Sequence, residues 1–352
     1  MIESVNVRNF RCYESLELHG LRRMNVVVGR NASGKTALLE SIFLAAGGSP
    51  EIPMRFRAWR GMGQMVQISA DRRSFESFWR DLFYTYDQER KISLTITGSE
   101  ENTASLDISY SEQNVLTVPL DSKTGEASAP VFPLDFDWRD SKGKSTKGRI
   151  RFGPSGLQID TIVDTVKAIF FASGWTSHPP QEFADRYSSL SVRDQEEAVV
   201  EAIREEFPFI KGLSIETSGG VPLLHASLVN VPGKIPLGIV SAGVLKFTYL
   251  LLSIAAAGSG AVLLVDEVEN GFYYDRFQTL WSRLLRFCKN YECQLFCTCH
   301  SLECLRGMLP AIEADDKEFC LIRTELSRHG VSAEIFSGRQ LESAINQEVD
   351  VR

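Results

Sequence analysis

The passage that most constrains this chain is "MNVVVGRNASGKTALLESIFLAAGG", residues 24–48. It holds the spacing G-x-x-x-x-G-K-T over Gly29, Arg30, Asn31, Ala32, Ser33, Gly34, Lys35 and Thr36. The short β-branched run before it predicts a strand, and the apolar positions after it recur at helical spacing. Gly47 and Gly48 then stop the helix. A glycine-bearing turn between a strand and a helix points backbone N–H groups at phosphate oxygens, and the helix N-terminus adds partial positive charge. Lys35 is expected to reach the β- and γ-phosphates of a nucleoside triphosphate, and the Thr36 hydroxyl to bind Mg²⁺.

A phosphate loop needs a carboxylate for the metal and a base for water. "GAVLLVDEVENGFYYDRF" offers both. The continuous apolar run Ala261–Val265 predicts a strand buried on both faces. Asp266 and Glu267 follow at its carboxyl end, the edge where open α/β sheets bind ligands. Asp266 is the candidate magnesium ligand and Glu267 the candidate for polarising the attacking water.

Just upstream lies "IPLGIVSAGVLKFTYLLLSIAAA", with Ser241 and Gly243 before an apolar helical run. A serine in that place also serves as an ordinary helix cap. The passage resembles the S-x-G signature of ATP-binding-cassette (ABC) proteins. Together with the opening "IESVNVRNFRCYESLEL", the phosphate loop and "DEVENGF", it resembles the ABC-type ATPase heads of the SMC, RecF and overcoming-lysogenization-defect (OLD) proteins. "DEVENGF" is most similar to the OLD-like branch, although Tyr273 stands where that branch usually has histidine. The resemblance is strong over 1–48 and 236–305 and loose between them.

The resemblance implies an α/β fold: a P-loop ATPase head with a mixed, mostly parallel core sheet, an antiparallel β lobe and a helical signature subdomain. The core is expected over 1–48 and 236–352. Residues 49–235 form the insert, with the β lobe at about 90–160 and the helical subdomain at about 178–212. The resemblance further implies that ATP binding closes a homodimer, or a higher assembly. Ser241 and Gly243 of one copy would then cover the γ-phosphate held by the other. His300, in "QLFCTCHSLECL", matches a histidine that senses the γ-phosphate, so the catalytic set is Lys35, Glu267 and His300. Arg11, in "NFRC", is a candidate nucleotide contact or a surface arginine on a hairpin.

The same stretch raises other chemistry, because Cys297, Cys299 and Cys304 crowd around His300. No second close-spaced cysteine pair follows, as structural zinc usually needs. Buried apolar thiols are the plainer account. Seven cysteines without an export signal suit a reducing cytoplasm. The run "FTYLLLSIAAAGSGAVLLV" is broken by "GSG", which favours two buried elements over a membrane span. A net charge of -7 argues against a general nucleic-acid coat. A local basic patch remains a candidate contact, with Arg55, Arg57 and Arg60 in "RFRAWRG". Trp59, Trp79 and Trp138 are candidates for base stacking or for core packing. "DWRDSKGKSTKGR", residues 137–149, reads as an exposed loop.

For purpose, the resemblance implies prokaryotic anti-phage defence, with ATP-driven dimerisation controlling a separately encoded effector such as a nuclease or toxin. Roughly 50 residues follow His300 and lack the acid set of the nuclease that many OLD proteins carry. A RecF-like DNA-repair ATPase and an ATP-dependent scaffold with little turnover are the alternatives.

Overall fold

The phosphate-loop segment folds as its pattern requires. Strand β3 (Met24–Val28) is wholly buried, and helix α1 (Lys35–Gly47) ends on Gly48 in the left-handed conformation. The structure, a computed structural model, describes residues 1–62, 72–99, 102–111, 116–119, 128–153, 156–160, 168–171 and 180–347. Residues 178 and 179, expected at the start of the helical subdomain, lie outside these. The chain forms two compact units. The first takes Met1–Leu21, Gly29–Ala168 and Ile322–Ile335, and the second takes Arg22–Val28, Ile169–Leu321 and Phe336–Arg352.

The first unit is built on an antiparallel sheet. It contains β1 (Ile2–Phe10), β2 (Tyr13–His19), β4 (Ile92–Gly98), β5 (Thr103–Tyr110), β8 (Leu134–Arg139), β9 (Ser145–Gly153) and β10 (Gly156–Asp160). Their order is β10-β9-β8-β5-β4-β1-β2. A separate pair, β6 (Leu116–Pro119) and β7 (Ser128–Val131), stands apart from that sheet. Alternation fixes the faces. Leu134, Phe136 and Trp138 are buried on β8, while Asp135 and Asp137 turn outward to pair with Arg149 and Arg139. Each fully buried Leu or Phe contributes about 1.5–3 kcal/mol, so the inward set fixes the register and the outward ion pairs add little. Helices α2 (Ile52–Trp59) and α3 (Arg72–Trp79) complete the described helical part.

Two findings here differ from the sequence reading. The first hairpin joins the β lobe, because β1 pairs with β4 from Ile2↔Gly98 to Arg8↔Ser93. Residues 137–149 are not a loop but the end of β8, a tight turn and most of β9. Asp140 caps that turn by accepting the N–H groups of Lys142 and Lys144 at 3.0 and 2.8 Å. The polar composition that suggested a loop belongs to an outward sheet face.

The second unit centres on β15 (Val262–Val265), β16 (Gln294–Thr298) and β3, which run parallel in that order. The full sheet order is β11-β15-β16-β3-β17-β18, where β11 is Ala168–Phe171, β17 is Phe319–Ser327 and β18 is Gly330–Ser337. All four residues of β15 are buried, as its continuous apolar run requires. A smaller antiparallel sheet holds β12 (Ile210–Ser218), β13 (Val221–Leu228) and β14 (Lys234–Pro236). Helices α4 (Pro180–Ser191) and α5 (Glu197–Glu206) occupy the expected helical region. Between them Asp194 is left-handed and the N–H groups of Arg193 and Gln195 close α4 onto Leu190, so α5 starts only at Glu197. Short α6 (Leu237–Val240) leads into α7 (Ala242–Ala257), and α8 (Phe277–Asn290) follows the acid pair. Core side chains from β3, α7, β15, α8 and β16 form one cluster, including Val26, Leu250, Leu263, Trp281 and Leu295. Among the described residues no helix is long and apolar enough to cross a membrane.

Candidate active site

In the first unit the phosphate loop is shaped by backbone conformations that side chains resist. Gly29, Ala32 and Gly34 all have positive φ, at 144, 63 and 94°. A β-carbon on Gly29 would sit 2.3 Å from the Thr324 carbonyl oxygen, so only glycine fits. One on Gly34 would sit 2.7 Å from the Tyr13 hydroxyl, which donates to the Gly34 carbonyl at 3.0 Å. Ser33 is buried, its hydroxyl 2.7 Å from that of Thr324, so its side chain braces the loop. Arg30, Asn31 and Ala32 are exposed. Lys35 Nζ donates to the carbonyls of Gly29 and Arg30, at 2.7 and 2.8 Å. Thr36 stands in the first turn of α1, whose N-terminus has no side-chain cap. Left-handed turns feeding an uncapped helix start present a cluster of N–H groups suited to phosphate.

Arg11 lies on the β1–β2 turn and is not a surface arginine. Its Nε is 2.6 Å from Glu40 Oε2 on α1, and its Nη1 is 3.3 Å from Asp81. Burial holds its pKa below the ordinary arginine value, against the pull of Glu40. Arg60 meets the other Glu40 oxygen at 2.6 Å and Arg57 pairs with Asp81, so two arginines of the basic patch are engaged by acids. Trp79 and Trp138 are buried and belong to the core.

In the second unit the acid pair sits at the carboxyl edge of β15, where Val265 pairs with Cys297 of β16. One side chain organises both acids. The Thr298 hydroxyl donates to Asp266 Oδ1 at 2.7 Å and accepts the Glu267 N–H at 2.7 Å. Glu267 has φ 54°, a conformation that costs a non-glycine residue about 1–2 kcal/mol. Its carboxylate accepts from Asn270 Nδ2 at 2.5 Å. His300 follows β16, and its N–H donates to Glu269 Oε1 at 2.6 Å. Asp266, Glu267 and His300 are therefore drawn together through Thr298 and Glu269. The Asp266 carboxylate is a hard oxygen donor, which suits magnesium.

The cysteines around His300 are buried free thiols. Burial pushes Cys297 well above the ordinary thiol value, and a hydrogen bond with Cys304, then burial, does the same for Cys299. Protonated thiols are poor nucleophiles and poor metal ligands. Among the described residues no three Cys, His, Asp or Glu side chains converge in a metal-holding group.

Ser241 stands at the start of α7 in an extended conformation. It is exposed, and its side chain makes no capping bond. Gly243 has no room for a side chain, because a β-carbon would lie 2.6 Å from the Gly271 carbonyl oxygen.

Three comparisons bear on this arrangement. The family described as "AAA ATPase domain" matches residues 1–173, and the one described as "AAA domain, putative AbiEii toxin, Type IV TA system" matches 185–306. An "ATP/GTP phosphatase" of Helicobacter pylori is 21% identical, with 91% of this chain and 92% of the relative covered. A "DNA replication and repair protein RecF" of Exiguobacterium is 49% identical over 45 residues, only 13% of this chain and 12% of that protein. An SMC head solved with the C-winged helix domain of ScpA shares the fold at TM-score 0.51 and 14% identity, covering 98% of this chain and 99% of the other. The chain is an ATPase with the fold of an SMC head.

The expected fold class is borne out: this ATPase is α/β, with the head fold and a mixed sheet. Sequence reasoning about the ATPase missed Thr298. The signal was the polar residue ending the strand before His300. It also gave Lys246 no role; the signal there was one cation inside an apolar helix.

Proposed function

We propose that this ATPase is OLD-like and hydrolyses ATP in a homodimer closed by ATP, so that nucleotide state controls a separately encoded effector in anti-phage defence. The supporting observation is the Thr298 hydroxyl, which fixes Asp266 and the Glu267 backbone at the carboxyl edge of a parallel sheet. Lys35 and the N–H groups of the 29–36 loop bind the phosphates. Thr36 and Asp266 would hold Mg²⁺, which would supply positive charge against that of the phosphate oxygens. Glu267, steered by Asn270, orients and deprotonates water, and His300 contacts the γ-phosphate. Ser241 and Gly243 of a second copy cover that phosphate, in keeping with an exposed serine that caps nothing in its own chain. Hydrolysis removes the bridging group and loosens the pair.

Control of an effector agrees with the toxin named in the description of the second matching family and with the ScpA domain bound to the similar SMC head. A RecF-like repair role has the 45-residue similarity in its favour. DNA that stimulates hydrolysis with a steep salt dependence would select that role. The dimer is tested by light scattering on Glu267→Gln. ATP should double its mass and hydrolysis should fall about a hundredfold or more. A monomer with ATP bound would refute ATP-driven pairing.

A further inference from the structure

We infer that Lys246 is a positioning residue for hydrolysis: from helix α7 it clamps the loop 267–270, so the aim of Glu267 follows that helix. This rests on the proposed role of Glu267. Lys246 is only 7% exposed, in the stretch "VLKFTYLLL" of α7. An ammonium placed there is costly unless it is hydrogen-bonded. Burial lowers its pKa to about 8, and Glu269, Cys304, Glu267 and Cys297 oppose that shift. Its ammonium donates to two backbone carbonyls, Glu267 O at 2.7 Å and Asn270 O at 2.9 Å. Those carbonyls bracket the segment that matters. Glu267, whose carbonyl is the first of them, is left-handed, and the Asn270 side chain donates to the Glu267 carboxylate.

A second contact removes slack between the same two elements. Gly243, one turn before Lys246, lies so close to the Gly271 carbonyl that no β-carbon fits. The start of α7 and the loop after Glu267 therefore move as one piece. Because Ser241 opens α7, nucleotide engaged there by a second copy would be felt at Glu267 of the same chain. This gives the two sites of a dimer a physical route for communication.

The test compares steady-state kinetics of wild type, Lys246→Met, Asn270→Ala, the double variant and Glu267→Gln. Lys246→Met should lower kcat about ten- to a hundredfold while KM stays within about threefold, because aim rather than nucleotide affinity is lost. The double variant should lose little more than the worse single one, since both act through Glu267. Additive losses, a kcat within about twofold of wild type, or a KM that rises in step would overturn the inference. If Lys246→Met does not fold, Lys246→Gln replaces it, with the same split expected and wild-type kcat as the contrary result. If Glu267→Gln itself turns over normally, the base assignment fails. If it is dead while Lys246→Met is normal, only the clamp fails.

Discussion

Two helices in this molecule, α1 after the turn at Gly29–Gly34 and α7 after the turn at Ser241, each carry a buried lysine that donates to two backbone carbonyls. Lys35 bonds to Gly29 and Arg30, inside its own loop. Lys246 bonds to Glu267 and Asn270, in a loop more than twenty residues away. The first turn is closed on itself: its glycines are fixed by Thr324 and Tyr13, and its lysine bonds within the loop proposed to cradle phosphate. The second presents an exposed Ser241 outward and uses its lysine to hold the residue proposed to activate water. Similar local chemistry is thus proposed to serve binding in one place and alignment in the other.

The largest expected effect falls on the first lysine. Lys35→Met should abolish measurable turnover, a loss of about a hundredfold to a thousandfold, because no other side chain replaces its charge on the phosphates. Isothermal titration should show ATP affinity falling with it. A variant that binds and hydrolyses ATP normally would break the contrast at its stronger side.

The second lysine has a stability signature. Unfolded, Lys246 holds its proton up to about pH 10.5, and folded, it releases it near 8, so in that window the unfolded chain binds more protons. Its contribution to stability therefore rises with pH between those values. Urea unfolding of wild type minus Lys246→Met should show that difference growing by up to roughly 3 kcal/mol from pH 8 to 10.5. A flat difference would mean that the amine is not held as described.

The strand, turn and helix over residues 24–47 were legible in the sequence because their pattern is local and continuous. The strand Val262–Val265 was legible from its apolar run alone. Thr298 was not, since it reaches Asp266 only once β15 and β16 pair, and no local pattern states that pairing. The link from Glu269 to His300 was hidden for the same reason. Lys246 reads as a stray charge until the loop beneath it folds. The hairpin at 137–149 was misread because a strand that faces solvent on one side has the composition of a loop.

The central claim is that ATP held by one copy is completed by the signature turn of another. It is tested most directly by mixing Lys35→Met with Ser241→Arg. Each variant alone should be nearly inactive, the first without a cradle and the second without a signature. Mixed in equal amounts, half the dimers pair unlike chains, and each of these regains one intact site. ATPase activity should then recover to roughly a quarter of wild type. No recovery on mixing, or a Ser241→Arg variant as fast as wild type by itself, would contradict the claim.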